Sequence, residues 1–241
     1  MKISVTKRLF ENIPGLCMGI IAVRAVNNEK DNKEAEAFRR RCCTEANLLF
    51  KLNPKLGEKD NSLYAKQLKK LGIAEETALE RIFHEYKNRQ GITAAEEKET
   101  ADTSEVTKSA TLDELAGSDG LERINPVMDI VRAGMLKFHV NIHAYDLGDR
   151  KSPLEIKDEA GYPVTWKEQI CTKPWLSVES GAGKITKETE NILVVITGFA
   201  ENRKKVAAAR NELARRMKSA FDRDVEVGWL EEKETEFETE I

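Results

Sequence analysis

The spacing of apolar and polar positions changes period several times along the chain, and each change marks an element. Short apolar runs at Ile3 to Val5 and Met18 to Val26, joined by a turn at Pro14-Gly15, read as strands. From Ala35 the spacing becomes helical: Ala35, Phe38, Cys42, Ala46 and Leu49 share one face, and Asn53-Pro54 stops the run. Leu63 to Leu71 and Leu79 to Tyr86 predict two further helices. In the second, Leu79, Ile82, Phe83 and Tyr86 form the apolar stripe and His84 falls outside it. Gly91 to Gly120 then loses both periodicity and aromatic residues, apart from a short helical hint at Leu112 to Leu115, and is expected to be a loop or insertion. Neither flank is self-sufficient in strands, so residues 1–241 are taken as one domain.

The most informative stretch is Asn125 to Asp146. Asn125 can cap the free amides of a first helical turn, and Pro126 sits where a missing N–H costs nothing. Val127, Val131, Met135 and Phe138 recur at helical spacing, with Asp129 and Arg132 off that stripe. After Val140 the period becomes two: Ile142, Ala144 and Asp146 take one side of a strand, and Asn141, His143 and Tyr145 the other. Further strands are expected at Leu154 to Ile156, Val164 to Trp166, Trp175 to Val178 and Ile192 to Thr197. A basic helix at Glu201 to Phe221 and a strand at Val225 to Leu230 follow. Acidic Glu231 to Ile241 is expected to be a frayed tail, with an edge strand as the alternative. The pattern predicts an α+β fold, with a β-sandwich-like or mixed sheet core flanked by helices.

Composition narrows the chemistry. The 241 residues are 40% apolar and 34% charged, with a net charge of −3, which argues against a dedicated non-specific nucleic-acid binder. Any RNA contact must be local, and Lys204, Arg215 and Lys218, opposite the apolar stripe Val206, Ala209, Leu213, Met217 and Ala220, are the candidates; a solvated helix face is the blander reading. No apolar run reaches bilayer length and Met1 to Phe10 lacks a secretory apolar centre, so the expected location is the cytoplasm, with no membrane partner. Cys17, Cys42, Cys43 and Cys171 form no CxxC and are expected to be reduced structural residues; with only three His, no metal site and no cofactor is expected. Ser180 to Lys184, SGAGK, fails as a P-loop: Val178 stands where a glycine is needed and Ile185 where a Ser or Thr is needed, so a hairpin turn is expected.

The helix start, the Asp129 carboxylate, the helix length and then His143-Ala144-Tyr145-Asp146 resemble the editing domain of the phenylalanyl-tRNA synthetase beta chain, which carries a His-Ala-Phe-Asp-Leu sequence after such a helix. A second segment, Lys184 to Phe199, is similar to that family's Asp-Glu-Thr and following apolar strand, with Thr189 at the threonine position. The resemblance spans Asn125 to Phe199 and points to a free-standing B-three/B-four domain. It implies a β-sandwich surrounded by helices, tRNA or aminoacyl-tRNA as partner, and a deacylase (ester hydrolase) activity in trans, without ligase activity.

By the same resemblance His143 and Thr189 are the catalytic candidates: His143 would orient the ester or a water, and Thr189 would supply a hydrogen bond. Substrate contacts would come from Asn125, Asp129, Val131, Tyr145, Trp175, Leu176 and Val195. The family's pocket threonine falls at Val131, its tyrosine-selecting glutamate at Val195, and its small Ala-Gly pair at Trp175 and Leu176. A site without that carboxylate cannot reward a phenol hydroxyl, so an amino acid other than tyrosine is implied. Simpler readings stand beside these: His143 as a structural histidine, Thr189 as a turn cap, Trp175 as core, and Asn125 and Asp129 as helix caps. The rival function is a non-catalytic module that binds RNA, an amino acid, a nucleoside or a protein segment.

Overall fold

Two apolar runs, β2 (Leu16–Val23) and β5 (Ile192–Phe199), pair antiparallel and are buried at every position, as expected of central strands covered on both faces. The computed structural model describes residues 1–52, 77–90, 120–149, 151, 153–156 and 183–240. Strands β3 (Asn141–Asp146) and β6 (Val225–Glu231) flank the central pair, giving a four-stranded antiparallel sheet in the order β3-β5-β2-β6. A smaller mixed sheet, β4-β1-β7, joins β1 (Lys2–Val5) in parallel to β4 (Leu154–Ile156) and antiparallel to β7 (Glu236–Glu238). The fold is α+β, with mixed and antiparallel sheets flanked by helices.

Cross-strand partners share a face, which assigns each side of the large sheet. The row Ile142, Ile196, Gly19 and Trp229 faces the helices, because Gly19 abuts Arg210 of α5 (Arg203–Phe221). The next row, His143, Val195, Ile20 and Gly228, faces the other way, where β7 lies. A Cβ on Gly228 would sit 2.4 Å from the Phe237 ring, so only glycine lets β7 cross there.

The helical layer consists of α2 (Lys33–Leu52), α3 (Ala78–Arg89), α4 (Pro126–Phe138) and α5. Each starts or stops where its local chemistry dictates. Asn32 accepts from the Glu34 and Ala35 amides at the head of α2, and Thr77 with Glu80 forms a capping box on α3. Asn125 accepts from the Met128 amide with Pro126 in the first turn of α4, and left-handed His139 ends that helix. Among the described residues no helix is long and apolar enough to cross a membrane.

Several expectations are corrected. α4 is not a one-faced helix: Asp129 and Arg132, off the sequence stripe, are also buried, because α2 and α3 close over the side away from the sheet. Arg132 is kept inside by the carboxylate of Glu85 and the Glu122 carbonyl. Between the first two strands the expected turn at Pro14-Gly15 is present, with Gly15 left-handed at φ 78°, and a short helix, α1 (Lys7–Asn12), precedes it; six residues are too few to show a period. β2 stops at Val23, before the expected Val26, since Ala25 turns left-handed at φ 54°. The acidic tail is not frayed throughout: Glu236–Glu238 is the edge strand β7, and Glu234 folds back on Glu231. The elements expected at Leu63 to Leu71, Leu112 to Leu115, Val164 to Trp166 and Trp175 to Val178 lie outside the described residues, as do Ser180 to Ala182 of SGAGK and residues 91–119 of the expected loop.

Candidate functional site on the inner face of β3

Strand alternation places Asn141, His143 and Tyr145 in a row on the face of the large sheet that carries β7, opposite Thr197, Val195 and Leu193 of β5. The His143 and Tyr145 rings stack at 6.3 Å with planes 29° apart. His143 is 4% exposed, and its Nε2 has no hydrogen-bond partner among the described residues. Burial, reinforced by the positive charge of Arg81 on α3, pushes its pKa down to about 3. The imidazole is therefore neutral at physiological pH. It can give or take one hydrogen bond at Nε2, but it is a weak proton acceptor.

Asn141, two residues earlier on the same face, is a site residue that the sequence analysis did not single out. Its Oδ1 accepts from the Leu79 amide at 3.0 Å at the start of α3, while its Nδ2 has no partner among the described residues. A buried donor without a partner costs about 1–3 kcal/mol, and two such groups two residues apart on one strand face make this the candidate place for a ligand or water. The only sequence signal was parity: Asn141 shares a strand face with His143.

Thr189 is elsewhere. Its hydroxyl donates to Asp146 Oδ2 at 2.7 Å and accepts from the Thr186 amide at 2.9 Å, so both capacities are spent in closing the turn before β5. Asp146 has the opposite parity to His143 and lies three residues further along β3, roughly 10 Å at strand rise. The two catalytic candidates thus do not line one cavity through their reactive atoms.

Thr189 instead joins Asn125 and Asp129. Asn28 accepts from the Val127 amide at 3.0 Å and donates to the Thr186 carbonyl at 2.7 Å, clipping the start of α4 to the 186–189 turn. Around this clip run a cavity of about 370 Å³, lined by Ala25 to Glu29, Lys187 to Glu190 and Arg223, and a smaller one of about 110 Å³ that includes Asn125 and Asp129; Glu29 and Lys187 border both. Asp129 accepts from the Ile124 amide, and burial raises its carboxyl above the usual range despite the opposing pull of that bond and of Arg39, Arg123 and Arg132. The α4 amides that could hold an anion here are already occupied by Asn28, Asn125 and the Asn125 carbonyl.

The remaining candidates separate further. Val131 is buried on the stripe of α4 that includes Gly134, which packs on Ile142 and Leu213 at the helix side of the sheet, whereas Val195 pairs directly with His143. Trp175 and Leu176 lie outside the described residues. Lys204, Arg215 and Lys218 are exposed on one stripe of α5, where Arg215 pairs with Glu212, and Lys218 with Asp224 at 3.5 Å. Cys17, Cys42 and Cys43 are buried free thiols, and burial raises Cys17 and Cys42 to about 12, which keeps both protonated. Compared with known proteins, the chain matches no family model and no curated sequence.

Proposed function

We propose that this chain is a free-standing, cytoplasmic, tRNA-associated domain that takes the aminoacyl end of a tRNA against the inner face of β3. The observation that supports it is the pair of buried, unsatisfied groups, His143 Nε2 and Asn141 Nδ2, beside the Tyr145 ring. An aminoacyl ester offers matching chemistry: carbonyl and ribose oxygens for the two polar atoms, and an amino-acid side chain for the apolar surface around Val195. The resemblance of Asn125 to Phe199 to the synthetase editing domain supplies the substrate class.

Hydrolysis in such a site would rest on positioning. A histidine with a pKa near 3 does not take a proton from water at neutral pH, so His143 would orient the ester or the attacking water rather than act as the base. Val195 in place of a carboxylate directs the site away from tyrosine. Phosphates of the tRNA would meet Lys204, Arg215 and Lys218.

The second reading is binding without turnover, and the engaged Thr189 hydroxyl favours it. A deacylation screen over a panel of mischarged tRNAs, with wild type and His143→Ala, tests the first reading. Turnover reduced by the substitution supports it; turnover indifferent to the substitution removes His143. Absence of turnover with retained tRNA binding supports the second reading, and absence of tRNA binding at low salt ends both tRNA assignments.

A further inference from the structure

The two edges of the large sheet differ. At β3 the backbone continues into bonds from Asp146 to Gly183 and from Leu147 to Asn191, and Asn141 is held by the start of α3. At β6 the outward backbone bonds among the described residues are the reciprocal pair between Glu231 and Glu234, both at 2.9 Å. These fix the direction of the ladder. Since Glu231 points its backbone groups away from β2, strand alternation points those of Val225, Val227 and Trp229 the same way. Among the described residues these three rungs have no strand partner.

The composition of this edge guards it little: Glu226 and Glu231 are its charges. β6 holds no Pro and no Lys, its register with β2 runs unbroken from Val225 to Glu231, and Val227 at its middle is 44% exposed. Unprotected edges of this kind are templates for another strand. The occupant that fits best is the strand itself.

We propose that β6 pairs antiparallel with β6 of a second copy about a two-fold axis at Val227, making one eight-stranded sheet. The three free rungs are symmetric about Val227, and Glu231 is already engaged, so this register uses every free rung. It sets Val227 against the partner's Val227 and Val225 against the partner's Trp229, an aromatic and β-branched pairing of the kind sheets favour. Arg203 and Arg210 lie over the Trp229 ring at 5.0 and 5.5 Å, holding the indole in place before any partner arrives. The contact is isologous and closes at two.

Sedimentation velocity on the full chain, with Cys171→Ser as background, reads the state directly. A concentration-dependent dimer that becomes monomeric in Val227→Lys is expected. Val227→Cys is expected to form a covalent dimer under mild oxidation, since hydrogen-bonded antiparallel pairs hold their Cα atoms about 5.5 Å apart, within disulfide reach. Val225→Cys, set against Trp229, is not. A wild type that stays monomeric, a dimer that persists in folded Val227→Lys, or cross-linking through Val225→Cys in preference to Val227→Cys would overturn the proposal. Should Val227→Lys fail to fold, the cysteine pair decides.

Discussion

The hydroxyl of Thr189 donates to the Asp146 carboxylate across the end of the β3 and β5 pair, joining the turn before β5 to the end of β3. That bond makes Thr189 a structural tie. Thr189→Val keeps the volume but strands the Thr186 amide and removes one donor from Asp146, and is expected to cost about 1–3 kcal/mol in urea unfolding. Activity or affinity per folded molecule should stay unchanged; a selective loss of either with stability intact would return Thr189 to the site.

His143 carries a pH signature. Its folded pKa of about 3 lies below the ordinary 6.5, so below pH 6.5 the unfolded chain binds a proton that the folded chain refuses. Its contribution is fully present above pH 6.5 and is lost as pH falls toward 3. Going from pH 7 to pH 5, wild type should lose about 2 kcal/mol more stability than His143→Gln, at roughly 1.4 kcal/mol per unit below 6.5. Parallel pH dependences for the two proteins would show that the ring is not held neutral.

Gly134 marks the crossing of α4 and α5. A Cβ there would lie 2.7 Å from Leu213 Cδ1, so Gly134→Ala, which in an open helix gains stability, should instead lose about 1–3 kcal/mol. Leu213→Ala opens the same space at its own cost. In the double variant the two losses should fall short of their sum, a coupling that thermal or urea unfolding of all four proteins would measure. Strict additivity would mean the helices do not meet at this glycine.

The basic stripe on α5 is testable through salt. If Lys204, Arg215 and Lys218 meet phosphates, replacing all three with Ala should reduce the slope of log affinity against log salt by about 2–3 in tRNA gel shifts. An unchanged slope would leave the stripe as a solvated face, and the ion pairs of Arg215 with Glu212 and Lys218 with Asp224 already draw on its charge.

Local chemistry made α4 and β3 legible in advance. Asn125, Pro126 and the switch from a 3.6 to a 2.0 period are contained within neighbouring residues, and the structure starts α4 at Pro126 and β3 at Asn141 accordingly. The central strand at Ile192 and the helix through Val206, Leu213 and Met217 were legible for the same reason. α1 was not, because six residues do not complete two turns; the Glu236–Glu238 edge strand was legible only as the alternative to fraying, because its acidic composition gives no hint that β1 lies beside it.

The sequence by itself determined the class, most element boundaries among the described residues and the shared orientation of Asn141, His143 and Tyr145, since all of these follow from spacing along one segment. Tertiary structure alone decided that Asp129 and Arg132 are buried, that Asn28 clips the head of α4 to the Thr186 turn, that the Thr189 hydroxyl is spent on Asp146, and that His143 is dry enough to stay neutral. Each of these depends on which distant side chain or surface arrives next to the residue. Burial and pairing are properties of the packed interior, and no local pattern encodes the neighbour.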